Sequence, residues 1–199
     1  MKQPGKPRKL EDPELLRRLS LVFRDYGYEG TSLSRISEAT GLERASLYHR
    51  FPGGKEEMAQ AVVRYVGELF HHEVLAALLD VKRGASAQAL RGAVETAARQ
   101  LGIFYEDGGR PCVLDSLSLQ AGGDGLQALV GESYRAWQRV FASVSMRAGL
   151  SGSESQARAR QAIMAIHGSL VLARATGNRG PFREVLAKLP ETLLAAKAD

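Results

Sequence analysis

Residues 32–51 read SLSRISEATGLERASLYHRF, and their spacing predicts a helix-turn-helix. Ser32 stands where a hydroxyl can accept from the exposed amides of a first helical turn. Leu33, Ile36 and Ala39 repeat at helical spacing and are expected to face inward. Gly41 follows, a residue that takes a left-handed backbone at little cost and so can end a helix. Leu42 fills the corner. A second short helix then turns Leu47 and Phe51 inward. Its opposite side carries Arg44, Ala45, Ser46, Tyr48 and His49. A short, polar, cationic helix face of that kind suits the major groove of duplex DNA.

Helical periodicity extends in both directions from this stretch. Upstream, Asp12-Pro13 reads as an N-cap and first helical position. The helix after it places Leu15, Leu16, Leu19, Val22, Phe23 and Tyr26 inward and is expected to end near Gly27. Downstream, Pro52-Gly53-Gly54 breaks the chain. A long helix from about Lys55 carries Met58, Val62, Val66, Leu69, Phe70 and Leu78. Another begins near Ser86 with Leu90, Val94, Leu101 and Phe104. Pro111 opens a short helix through Leu119. A further long helix holds Leu126, Leu129, Tyr134, Trp137, Phe141 and Val144. Ser153 and Gln156 have the spacing of a capping box. The helix they introduce mixes Ile163, Ile166 and Leu170 with Ala159, Ala162, Ala165, Gly168 and Ser169. Gly180-Pro181 starts the last helix, which Pro190 is expected to kink or interrupt. Period-2 strand patterns are nearly absent, so the fold class is all-α: a compact N-terminal unit followed by a larger helical bundle.

The chain has 199 residues, 44% hydrophobic and 25% charged, which is ordinary globular composition. The single cysteine, Cys112, excludes an intrachain disulfide and fits a reducing cytoplasm. No apolar run approaches the roughly 20 residues of a membrane span. The N-terminal stretch is basic without the apolar segment of a signal peptide. The net charge is +5, and it is unevenly placed. Residues 1–55 hold 11 Lys and Arg against 7 Asp and Glu; the rest of the chain holds 16 against 15. The basic excess coincides with the helix-turn-helix, as phosphate attraction requires.

The segment over roughly residues 12–70 resembles the TetR family of bacterial transcriptional regulators. The matching residues are Phe23, Gly27, Tyr28, Gly30, Thr31, Ser32, Ile36, Ala39, Gly41, Leu42, Ser46, Leu47, Tyr48, Phe51, Lys55 and Glu56. FPGGKEEM and the later RPCVLDSLSL are similar to the LmrA/YxaF-like branch. The resemblance implies a homodimer with a three-helix DNA-binding domain over 12–54. It also implies a helical-bundle domain for effector binding and dimerisation over 55–199, after a flexible basic arm at 1–11. In such proteins a ligand in the bundle shifts the fourth helix, spreads the two reading heads and releases a palindromic operator. Two departures stand out. Glu43 replaces the usual small hydroxyl residue before the recognition helix. Gly53-Gly54 adds a residue to the loop before Lys55.

Thr31 and Ser32 place hydroxyls at a helix start, suited to phosphate, to capping, or to both. Arg44 is a base reader or a phosphate clamp, with a solvated side chain as the plainer alternative. Ala45 and Ser46 are small enough for close approach. Tyr48 and His49 resemble family positions that contact phosphate and bases, with a half-buried surface ring and a solvated histidine as the plainer alternatives, and Lys55 resembles the family's phosphate-contacting lysine. In the bundle, Phe104, Leu114, Leu117, Trp137, Phe141, Met164 and His167 are candidates for an effector pocket, Trp137 and His167 adding polar handles. Ordinary core packing would account for the same residues. The arm residues Lys2, Lys6, Arg8 and Lys9 could reach a minor groove or remain a solvated tail.

Catalytic signals are weak. Asp115, Ser116, Ser118 and His167 supply triad residue types without a nucleophile-elbow pattern, and chance occurrence explains them. His71-His72 with Glu73 lack the spacing of a zinc site, since adjacent histidines on a helix diverge. Cys112 is expected to be a buried inert thiol. No cofactor and no metal are expected. Ligand-responsive repression through double-stranded DNA is the favoured reading. A helical enzyme and a protein-docking module are the alternatives.

Overall fold

The structure is a computed structural model of the chain and describes residues 12–118 and 123–194. The N-terminal arm lies outside these residues, as does Leu119. Among the described residues there are helices and connecting turns and no strand. Helix α1 spans Asp12–Gly30, with Asp12 and Glu14 at the positive end of its dipole. Leu15, Leu19, Val22 and Phe23 form its buried seam. Gly27 has φ 66° and ψ −172°, a backbone that side chains other than glycine's rarely accept, and the helix kinks there for one last turn. Tyr26, expected inward, is 48% exposed. Gly27 and Thr31 close the inner face in its place, and the Arg35 guanidinium lies 4.3 Å over the Tyr26 ring.

Helices α2 (Leu33–Thr40) and α3 (Arg44–Arg50) form the predicted corner. Ser32 caps α2 by accepting from the Arg35 amide at 3.2 Å, and Gly41 ends it with φ 70°. The buried line on α2 runs through Ile36 and Thr40, while Ala39 faces solvent. Thr40 can occupy the interior because its hydroxyl donates to the Ile36 carbonyl at 2.7 Å. Leu47 seats α3 on this core and is fully buried.

Helix α4 (Gly54–Phe70) starts one residue before Lys55. It continues through a π-helical stretch, His71–Leu75, into α5 (Ala76–Leu79). Met58, Val62, Val66, Phe70, Val74 and Leu78 are all buried, each four residues from the last. On a regular helix such a line drifts about 40° per step. The wider π turn takes part of that drift back and keeps the line on the core.

The bundle adds α6 (Ala87–Phe104), a tight turn at Glu106–Gly108 and α7 (Val113–Ser118). It is completed by α8 (Asp124–Arg147), α9 (Gly152–Thr176), α10 (Gly180–Ala187) and α11 (Leu189–Leu193). Ser86 caps α6. The cap of α9 is Ser151, which accepts from the Glu154 amide, so the expected Ser153–Gln156 box begins two residues late. Pro190 divides α10 from α11 and sits at the start of the latter, where its missing amide costs nothing. Helices α8 and α9 pack along each other, and α7 lies on α1. Phe70 stacks on Trp137 with centroids 4.0 Å apart, joining α4 to the centre of the bundle.

Candidate nucleic-acid interface

The corner of α2 and α3 turns a polar surface outward. Arg44, Ala45, Ser46, Tyr48 and His49 are all exposed, with Leu47 anchored beneath them. Glu43 occupies the α3 N-cap position and makes no side-chain cap bond. Arg44 reaches across the corner and donates to the Ser34 hydroxyl at 2.7 Å. Arg50 pairs with Asp12 at 3.2 Å, which ties the end of α3 to the start of α1. The Tyr48 ring lies over Gly54: a Cβ added there would come 3.4 Å from it, and φ at Gly54 is +67°. The two-glycine loop thus gives Tyr48 room and turns the chain tightly into α4. The Gly53 amide, at the start of that helix, donates to the Glu57 carboxylate at 2.7 Å.

Three further residues border this surface. Ser32 is exposed at the N-terminus of α2. Thr31 is fully buried, and its hydroxyl donates to the Gly27 carbonyl at 2.6 Å, so this side chain holds the kink of α1 instead of meeting a phosphate. Lys55 is half-buried; its ammonium donates to the Tyr28 carbonyl at 3.0 Å and sits 4.3 Å over the Tyr28 ring. Four exposed polar side chains of α3, with the small Ala45 among them, stand on the same reading head as Ser32 and Lys55.

The candidate pocket residues separate. Leu114, Leu117, Trp137 and Phe141 are buried, and Phe104 is half-buried against them. Met164 is 67% exposed on the outside of α9 and does not line this interior. His167 points in, stacked on Trp137 at 5.9 Å. Its Nδ1 lies 3.0 Å from Asp115 Oδ2, and the Tyr134 hydroxyl donates to Asp115 Oδ1. Residue types that the sequence scatters over α7, α8 and α9 thus meet in one polar cluster. Ser116 stays out of it and donates instead to the Arg24 carbonyl at 3.0 Å, a bond between α7 and α1. Burial opposes charge on His167, but the hydrogen bonds of Asp115 and Cys112 outweigh it and raise the group to about 9. Burial, with Cys112 and Asp115 beside it, pushes the Tyr134 hydroxyl well up. A groove of about 730 Å³ lies elsewhere, between α6 and α10–α11, bordered by Arg91, Arg99, Ile103 and Arg183.

Comparison with known proteins agrees with this architecture. Residues 20–62 match the family model described as bacterial regulatory proteins, tetR family. Residues 86–188, more than half of the chain, match that of the transcriptional regulator LmrA/YxaF-like C-terminal domain. The HTH-type transcriptional regulator YxaF of Bacillus subtilis is 24% identical over 177 residues, covering 89% of this chain and 92% of its own. HTH-type transcriptional regulator LmrA of the same organism is 24% identical over 182 residues, covering 90% and 95%. A TetR transcriptional regulator from Legionella pneumophila superposes with TM-score 0.80 at 19% identity, covering 94% of this chain and 99% of that one.

Proposed function

The chain belongs to the TetR family of bacterial transcriptional regulators, in its LmrA/YxaF-like branch, and we propose that it acts as a homodimeric repressor released by a small organic effector. It is a DNA-binding regulator, and its relatives are regulators, not enzymes. The single observation that carries the reading is the outward face of α3, polar and cationic over a fully buried Leu47. Arg44 reads a base edge, Ala45 and Ser46 allow close approach, and Tyr48, His49, Ser32 and Lys55 hold phosphate or base. A phosphate can replace the Tyr28 carbonyl as the Lys55 partner. The reading head ends at Gly54, and α4 carries motion from the bundle to it.

Dimerisation is assigned to α9. Met164, Gly168, Val171 and Leu172 share one exposed face at helical spacing, and nothing lies within 4 Å of a Cβ placed at Gly168. Ala159, Ala162 and Ser169, small residues of the same helix, face the subunit's own core. A two-fold interface over the outer face makes the two heads read half-sites about 34–36 Å apart, or a multiple of that. The effector enters the apolar interior around Trp137, Phe141, Leu114, Leu117, Phe104 and His167. Access to the chromosome places the protein in the cytoplasm. Among the described residues, no helix is long and apolar enough to cross a membrane.

Fluorescence anisotropy against duplexes from the protein's own upstream region tests the reading. Binding should weaken steeply with salt, as phosphate contacts require. Absence of binding, or binding indifferent to salt, contradicts it.

A further inference from the structure

Cys112, Asp115 and His167 are three kinds of metal ligand, and their donor atoms lie within 4.8 Å of one another. Cys112 immediately precedes α7, and Asp115 follows at i+3, so both project from the same side of that helix. His167 comes from the middle of α9. An ion pair needs only Asp115 and His167; the converging thiol is a third donor that the pair does not require. Two tyrosines complete the surroundings. Tyr134 donates to the Asp115 oxygen opposite the one facing His167, which fixes the carboxylate's orientation. Tyr105 is buried to 1% exposure, and its hydroxyl makes no well-formed hydrogen bond, having only the Cys112 thiol beside it as a weak partner. A thiol sulfur is a weak acceptor for a buried hydroxyl; a metal-bound thiolate would be a stronger one.

We propose that Cys112, Asp115 and His167 bind one zinc-class divalent cation. A mixed sulfur, nitrogen and oxygen donor set suits zinc or cobalt, whereas magnesium and calcium favour oxygen alone. Tetrahedral bonds of about 2.0–2.3 Å space the donors by roughly 3.3–3.7 Å. The Asp115–His167 pair, at 3.0 Å, therefore opens slightly, and Cys112 closes on both by about 1 Å, within the reach of side-chain rotation. Asp115 and His167 are 26% and 14% exposed, so the ion enters from their side, while Cys112 lies behind them. Three protein ligands leave one coordination position for water or an external group. Tyr134 acts on the ion only through Asp115, as an orienting neighbour. Coordination displaces to solvent both the thiol proton and the proton held between His167 Nδ1 and Asp115.

The test uses the full chain, stripped with chelator, reduced and free of DNA, so its failure leaves the DNA-binding reading untouched. Cobalt titration should give a thiolate-to-cobalt charge-transfer band that saturates at one ion per chain and is bleached by added zinc. Cys112→Ser should abolish the band, and His167→Gln should weaken binding, with far-ultraviolet circular dichroism unchanged in both. Tyr134→Phe should weaken binding about 10- to 100-fold, while replacing both His71 and His72 by alanine should leave it unaltered. Absence of the band, or a band that survives Cys112→Ser, overturns the proposal.

Discussion

The α2–α3 corner and the junction of α7, α8 and α9 both hold polar side chains on apolar helices, but in opposite senses. At the corner, Ile36, Thr40 and Leu47 are buried while Arg44, Ser46, Tyr48 and His49 face outward. Their hydrogen-bonding capacity is displayed to a partner. At the junction, Asp115, His167 and Tyr134 turn inward and bond to one another. The corner therefore needs its apolar underside to function, whereas the junction is part of the core and its bonds contribute to stability directly.

The largest effect should come from the corner's support. Leu47→Ala is expected to cost about 2–5 kcal/mol, since it opens a cavity under α3. Urea denaturation followed by circular dichroism measures this; a cost well below that range would mean that α3 is not held as described. Arg44→Ala should instead leave the urea midpoint nearly unchanged and weaken operator binding by about 1–3 kcal/mol in an anisotropy titration. A comparable loss of stability would make Arg44 a structural residue and erase the contrast with Leu47. At the junction, Asp115→Ala leaves His167 and Tyr134 without their shared acceptor. Partial exposure limits the cost to about 1–2 kcal/mol, and no loss at all would show that water replaces the carboxylate freely.

A still smaller effect is expected from the surface pair of α1. Hydrogen bonds from Arg17 and then Arg18 hold the Glu14 carboxyl down at about 2, from an ordinary 4.5. A carboxyl lowered on folding contributes stability above its unfolded value, and that contribution disappears as pH falls through the window from 4.5 to 2. Glu14 lies at the surface, 35% exposed, so solvent screening keeps the effect slight. Glu14→Gln should flatten the acid limb of thermal stability a little in that window. A large change would mean that surface pairing rivals the buried junction.

The same contrast explains what could be read in the sequence. The head was legible because its determinants are local: Ser32 to Gly41 brackets one helix, and Leu47 to Phe51 orients the next. Its errors were also local. Ala39 was expected inward because its side chain is apolar, but Thr40 holds the interior by bonding its hydroxyl within the helix. Thr31 was read as a phosphate contact, a cap or both, whereas its buried hydroxyl bonds the carbonyl of Gly27, the residue near which the helix was expected to end. In the bundle, helix positions were legible from period and punctuation, while side-chain partners were not. Asp115 and His167 are 52 residues apart in the chain and 3.0 Å apart in space. Their meeting supplies no catalytic triad, since Ser116 stays out of it, but the sequence carried no sign of the ion pair itself. The outward turn of Met164 was hidden for a related reason: an exposed apolar residue on a helix has the same periodicity as one in the core.

Hydroxyl-radical footprinting of the upstream duplex measures the central claim most directly, that paired copies of the α3 face grip one double helix. Two symmetric protected patches, centred about one helical turn apart or a multiple of it, with both weakened by Arg44→Ala, are predicted. A single patch, or protection that Arg44→Ala leaves intact, would contradict the account.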